Sequence, residues 1–251
     1  MSHPFAGEIA LITGASQRIG AALARALAAR GVGIAVHYRH SAAPAEALVE
    51  ELRATGVVAE AFAADLDEVA QAESLFAAVH ETLGAPSILI HNASRYEPIG
   101  LAATDAEAMR RELAVHVESP VALSRAFAAA LPKGQAGRIV CLLDWRTTIP
   151  DPTVFPYTIS KSALHSMMRN LAVELGPDVT VNGVAPGAIL PASSKMGPPE
   201  TEEDLDRRAV GLPIDRPGSV EHVVEAAMFF VDGAGYTTGA VIPVDGGRHL
   251  L

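Results

Sequence analysis

The sequence predicts a single α/β domain, a doubly wound seven-stranded parallel sheet with helices on both faces. Three observations predict it. Short β-branched apolar runs alternate with stretches of helical period along the chain, the pattern of repeated βα units. The first run, GEIALITG at 7–14, passes through a glycine-containing turn into AALARALAARG, and the next run, VGIAVHY, follows at once. Strand, turn, helix and strand form a βαβ unit with a right-handed crossover and a phosphate-receiving first turn. Finally, 251 residues with 49% hydrophobic and 19% charged side chains can bury one large core.

Composition also excludes several roles. A net charge of -10 with no compensating Lys/Arg run argues against nucleic-acid binding. The only cysteine, Cys141, lies in the apolar run RIVCLL, so no intrachain disulfide forms and a reducing compartment is permitted. The N-terminus lacks a basic segment followed by a long apolar one, and no apolar run is long enough to span a bilayer. The expectation is a soluble, cytoplasmic protein that does not engage a membrane.

Taken in order, the first helix ends at Gly31 and begins at a turn, Thr13-Gly14-Ala15-Ser16-Gln17-Arg18-Ile19-Gly20, whose helix N-terminus presents free N–H groups. The turn is not GxGxxG. It resembles the TGxxxGxG turn of the short-chain dehydrogenase/reductases, with Arg18 at the middle glycine. TGxxxRxG is similar to the turn of the pteridine reductase and dihydromonapterin reductase subgroup. For Arg18 two readings are open: a side chain directed to solvent, or a guanidinium aimed at phosphate or an anionic ligand edge. The resemblance implies a Rossmann-type domain over 1–251 that binds NADPH through Gly14, Gln17, Arg18, Ile19 and Gly20.

After the second strand stand His37-Tyr38-Arg39-His40-Ser41, with no acid to pair with ribose hydroxyls. The stretch resembles the HYxRS segment of the pteridine reductases and implies NADPH, with His37, Arg39, His40 and Ser41 near the 2′-phosphate. No metal-binding spacing accompanies the two histidines, and no metal is expected. VVAEAFAAD, a third strand, ends at Asp65-Leu66, which match the family's adenine-pocket residues. Asp67 is the expected cap of the helix in DEVAQAESLFAAVHETLG.

SILIHNAS is a fourth strand, and His91-Asn92-Ala93-Ser94 resembles the family's NNAG or the subgroup's NNAS, which places Asn92, Ala93 and Ser94 at the cofactor. Tyr96 stands where pteridine reductases carry the ring that stacks a pterin, and a surface tyrosine is the alternative. ELAVHVESPVALSRAFAAAL reads as one helix whose His116 replaces the family's relay-holding Asn and resembles the HVNTP of dihydromonapterin reductases.

GRIVCLLD is the fifth strand, and Asp144 at its end precedes Tyr157 by thirteen residues. Tyr157 and Lys161, four apart in YTISKSALHSMMRNLAVELG, share a helix face, where a cation eases ionisation of a phenol. Most of the family has Ser at the place of Asp144, and pteridine reductases have Asp. Beyond the helix, VTVNGVAPGAIL is a sixth strand with a family-like Pro186-Gly187 turn for the nicotinamide carboxamide. A polar, acidic segment at about 188–212 reads as a substrate lid, SVEHVVEAAMFFVD as the last helix and GAVIPVDGG as the seventh strand. The DGGRHLL tail again resembles the subgroup.

The resemblance spans nearly the whole chain. It implies NADPH-dependent reduction of a dihydropterin-type substrate such as dihydromonapterin, dihydrobiopterin or dihydrofolate. Asp144 and Tyr157 relay the proton, Lys161 holds the nicotinamide ribose, and Arg18, Ser94 and Tyr96 join them around the substrate. It also implies a homotetramer. A carbonyl or 3-oxoacyl reductase of the same family and a non-catalytic NADPH-binding sensor are the competing readings.

Overall fold

Seven parallel strands in the order β3-β2-β1-β4-β5-β6-β7 form one sheet in the structure, a computed structural model that describes residues 5–191, 201–233 and 235–251. β1 is Ile9–Ile12, β2 Gly33–Tyr38, β3 Ala59–Ala63, β4 Ile88–His91, β5 Gly137–Leu142, β6 Val179–Pro186 and β7 Val241–Val244. The strands read as near-continuous apolar runs because both faces of a parallel sheet are covered. The sequence direction of the winding reverses between β1 and β4, which pair through Ala10↔Ile88, Leu11↔Leu89 and Ile12↔Ile90. That reversal opens a crevice at the C-terminal ends of the two strands, where ligands bind in such sheets.

On one face, α1 (Arg18–Ala28), α2 (Ala42–Ala54) and α8 (Val220–Asp232) bury Leu23, Leu27, Leu52 and Phe230 against Ile12, Ile34 and Val36. On the other, α3 (Val69–Leu83), α5 (Ser119–Ala130) and α6 (Phe155–Glu174) bury Phe76, Leu123, Phe127 and Leu164 against Leu89, Ile139 and Cys141. Cys141 is a fully buried core thiol, and burial pushes its pKa up to about 12. Among the described residues no helix is long and apolar enough to cross a membrane.

The structure differs from the expectation in three places. Helix α2, in AAPAEALVEELRA, adds a crossover between the second and third strands. Asp67 does not cap α3: Glu68 takes the N-cap position, and Asp67 is buried between two guanidinium groups instead. The single helix expected across His116 is α4 (Ala106–Leu113), one π turn at Ala114–Glu118, and then α5. Of the expected lid, residues 192–200 lie outside the described residues, and Glu202–Ala209 form the short helix α7, closed by a capping box between Thr201 and Asp204.

Candidate active site

The glycine turn after β1 is fastened from both sides of the crevice. A Cβ on Gly20 would lie 2.3 Å from the Gly14 carbonyl, so only glycine lets the helix come this close to the turn. From β4, Asn92 Nδ2 donates to the carbonyls of Thr13 and Gly14 at 2.9 Å each. Thr13 Oγ1 accepts the N–H groups of Asn92 and Ala93 at 3.0 Å. Gln17 caps α1 with extended backbone and no side-chain bond, so the first-turn N–H groups of the helix face the crevice without a protein acceptor. Turn, free N–H groups and close approach fit the pyrophosphate of a dinucleotide.

Arg18 occupies the left-handed region at φ 56, the only described residue other than glycine to do so. The family's glycine would meet that backbone without strain, whereas a side chain costs about 1–2 kcal/mol there. Its guanidinium donates to the Pro191 carbonyl at 2.7 Å, bridging the turn to the loop after β6.

His37 corrects the reading of its segment. It is buried on β2, its Nδ1 accepts the Gly14 N–H at 3.0 Å, and Nε2 lies 3.1 Å from the Ala64 carbonyl. The carbonyl requires the Nε2–H tautomer, so both ring nitrogens are committed to backbone and neither is left for a phosphate. Burial pushes its pKa down to about 4. Arg39 and His40 are exposed and Ser41 is partly so at the start of α2. Arg39 Nη2 lies 2.8 Å from Asp65 Oδ2 and 3.0 Å from Asp67 Oδ2, and Arg95 binds Asp67 from the other side at 3.0 Å. The Arg39 guanidinium after β2 is therefore paired with carboxylates from the loop after β3. Leu66 beside it is buried, and its carbonyl accepts the Ser119 hydroxyl at 2.8 Å.

Tyr157, Lys161 and Asp144 converge, as their spacing suggested, but their electrostatics differ from the expectation. Tyr157 Oη donates to Asp144 Oδ2 at 2.8 Å. Asp144 caps the turn that follows β5, accepting the Arg146 N–H at 2.9 Å, and the Arg146 guanidinium lies 3.3 Å from its Oδ1. Lys161 Nζ donates to the Leu142 carbonyl at 2.8 Å and stands 5.8 Å from the centre of the Tyr157 ring. Burial, and next the Asp144 carboxyl, hold the Tyr157 pKa well above the usual phenol range, while Arg146 pulls it down. The expected lowering by Lys161 does not dominate in the protein alone. Lys161 itself is brought down to about 8 by burial.

Sequence reasoning missed Arg146, whose only signal was a cation two residues after Asp144. It is buried, it bonds Asp151 at 2.9 Å, and its guanidinium lies 5.8 Å from the Tyr96 ring. Tyr96 meets Tyr157 edge to face with centroids 5.0 Å apart, so its ring stands beside the buried phenol. Trp145 is held between Arg146 and Arg248 at 4.6 and 4.7 Å, which ties the C-terminal tail to the Asp144 turn. Arg248 also donates to the Arg208 carbonyl at the end of α7. Pro186 ends β6, and the Gly187 N–H bonds the Val244 carbonyl at 2.9 Å. A Cβ on Gly187 would lie 2.6 Å from the Asp245 backbone, so the turn beside the crevice must be glycine.

His116 in the π turn is buried behind Tyr157, edge to face at 5.6 Å. Its Nε2 is 3.0 Å from Ser94 Oγ and its Nδ1 2.8 Å from Ser160 Oγ, so it bridges the loop after β4 to α6. His91, at the end of β4, is 2.9 Å from Ser124 Oγ and fully enclosed, and burial brings its pKa to about 3. It braces α5 and does not reach the crevice.

A phosphate-binding turn at the switch point of a parallel sheet, with a buried Tyr and Lys on the neighbouring helix, defines a nucleotide-dependent oxidoreductase. A family model described as enoyl-(acyl carrier protein) reductase matches residues 14–249. The chain is 33% identical to an NADPH-dependent aldehyde reductase-like protein, chloroplastic, of Arabidopsis thaliana, covering 97% of this chain and 95% of that protein. The structure of FolM alternative dihydrofolate reductase 1 from Brucella canis, complexed with NADP, superposes with a TM-score of 0.90 at 31% identity, covering 98% of this chain and 96% of that one. A blue fluorescent protein from a metagenomic library, solved with NADPH, gives a TM-score of 0.86 at 33% identity over 97% of this chain and 98% of that one. The chain belongs to the short-chain dehydrogenase/reductase family and is an NAD(P)-dependent oxidoreductase.

Proposed function

We propose that the protein is an NADPH-dependent reductase of a dihydropterin-type substrate, such as dihydromonapterin, dihydrobiopterin or dihydrofolate. The observation that carries this reading is the hydrogen bond from Tyr157 to Asp144 beside the Tyr96 ring. Reduction of a ring C=N bond needs a proton at nitrogen, and a carboxyl joined to a phenol is a chain along which that proton moves. Likeness to the FolM structures adds support.

NADPH, when bound, supplies the hydride. In this reading Gly14, Gln17, Arg18, Ile19 and Gly20 cradle its pyrophosphate, Arg39, His40 and Ser41 face the 2′-phosphate, and Asp65 and Leu66 border the adenine. Asn92, Ala93, Ser94, Pro186 and Gly187 line the nicotinamide half, where Lys161 donates to ribose. Tyr96 stacks the substrate ring, Arg18 and Ser94 contact its polar edge, and Asp144 and Tyr157 pass the proton. The protein assembles as a homotetramer in this reading.

Family membership and likeness to an aldehyde reductase-like protein favour a second reading, a carbonyl or 3-oxoacyl reductase in which Tyr157 protonates oxygen. NADPH oxidation measured side by side with dihydropterins, folates and a panel of ketones, aldehydes and 3-oxoacyl thioesters separates the two. The pterin reading requires kcat/KM for a dihydropterin to exceed that of every carbonyl compound, and the reverse order overturns it.

A further inference from the structure

Glu112 lies in the last turn of α4 with no exposed surface, and neither carboxyl oxygen has a hydrogen-bond partner. A buried carboxylate without donors is costly, and such a group takes up a proton instead. The nearest ring atom is His116 Nδ1, 3.3 Å from Glu112 Oε2. His116 Nε2 in turn meets the hydroxyl of Ser94, which is exposed at the mouth of the crevice. Ser160 Oγ lies 2.8 Å from both His116 Nδ1 and the Tyr157 carbonyl, so its single hydrogen can turn to either and serve both tautomers of the ring. The connection sits in the one π turn of the fold among the described residues, and π turns are frequent at functional sites.

We propose that Glu112 holds a proton behind Tyr157 and exchanges it with the mouth of the site through His116 and Ser94, as a positioning residue of the proton-transfer machinery. The transfer balances without a co-reactant. Inward, the Ser94 hydroxyl gives its proton to His116 Nε2 and takes one from water, while the Nδ1 proton passes to the Glu112 carboxylate. Outward, the acid returns a proton to Nδ1, and the Nε2 proton leaves through Ser94. Either way His116 begins and ends neutral, as its environment demands: burial first and then Lys161 hold its pKa well below the usual range.

The groups facing Glu112 come from every neighbouring element. Glu97 and Arg95 face it from the loop after β4, Asp67 from the loop before α3, and Lys161 and Tyr157 from α6. Burial first, and then Glu97, raise the Glu112 pKa to about 8, against the pull of Arg95 and Lys161. The carboxyl thus carries its proton at neutral pH and loses it as pH rises through about 8. Lys161 titrates in the same range, so each group's charge biases the other's.

Use of the stored proton rests on the oxidoreductase reading, whereas its location does not, and the test separates them. Infrared difference spectra of wild type minus Glu112→Gln at pH 7 should show a protonated-carboxyl C=O band that shifts in D2O. In wild type alone the band should fade as pH is raised through about 8. Absence of that band overturns the proposal whatever the substrate is. With a reducible substrate, Glu112→Gln should lower kcat at least about tenfold and shrink the solvent isotope effect on kcat, with the Kd for NADPH within about twofold of wild type. A variant with the band removed but with wild-type kcat, pH profile and isotope effect would overturn the exchange role.

Discussion

The Tyr157 hydroxyl donates to Asp144 Oδ2 at 2.8 Å, so the buried phenol of this protein is bonded to an acid where most of its family places an alcohol. The acid opposes formation of the phenolate, and Arg146 on its other side moderates that opposition.

Asp144→Ser is expected to lower dihydropterin turnover by at least about tenfold, equivalent to roughly 1.4 kcal/mol of barrier, while sparing or improving any ketone activity. A ketone needs one proton on oxygen, which Tyr157 alone can give. The same change takes away the Asp144 carboxyl, which after burial is the next cause of the raised Tyr157 pKa, so its ultraviolet titration should move to lower pH. Equal pterin turnover in the variant, measured as NADPH oxidation, would remove the chemical support for the pterin reading.

The position of Arg39 between Asp65 and Asp67 decides how cofactor preference is tested. Arg39→Asp would crowd three carboxylates together, so Arg39→Ser is the cleaner change. NADPH affinity should fall about tenfold, within the range of one charge-assisted hydrogen bond, and NADH affinity should be little altered. Fluorescence titration with the two cofactors reads the ratio directly; an unchanged ratio assigns the 2′-phosphate elsewhere.

Arg18 combines a strained backbone with a hydrogen bond to Pro191. Arg18→Gly relieves the first and loses the second, each worth about 1 kcal/mol, so its stability should stay near wild type. Arg18→Ala keeps the strain and loses the bond, and should be about 1 kcal/mol less stable than the glycine variant. Denaturant unfolding of the pair isolates the strain, and NADPH titration of both tests the guanidinium's contact with the cofactor.

Three buried histidines weaken the fold in acid. His37 and His91 have folded pKa values near 4 and 3, and His116 is also depressed, all chiefly by burial, against about 6.5 unfolded. Below about pH 6.5 the unfolded chain binds protons that the fold refuses, so their stabilisation is full above that pH and is lost as pH falls. Near pH 5 His37 and His91 together should contribute a slope of about 2.5 kcal/mol per pH unit, at most about 1.4 from each, with His116 acting in the same direction and Glu112, which keeps its proton in the fold, opposing them. His91→Asn should remove about half of that pair's slope in unfolding curves taken between pH 7 and 5; an unchanged slope would show that His91 does not contribute.

The sequence by itself determined the seven strands, their βα alternation, the glycine turn and the Tyr157/Lys161 face. Each is written in local periodicity or in a short spacing that elementary geometry converts into structure. Local pattern could not tell that His37 turns inward to hold Gly14, because a strand's alternation does not distinguish its two faces when both are buried. Nor could it join Arg146 to Asp144 and Asp151, seat Trp145 between Arg146 and Arg248, or close Glu112 behind His116. Of these, Trp145 and Arg248 are far apart in sequence, and only the packed sheet brings them together. Asp144, Arg146 and Asp151 between β5 and α6, and Glu112 and His116 across α4 and the π turn, are near in sequence but owe their burial to the elements packed over them. The charge of a buried group depends on what surrounds it in three dimensions, and so the proton chemistry of this site was decided by the tertiary structure.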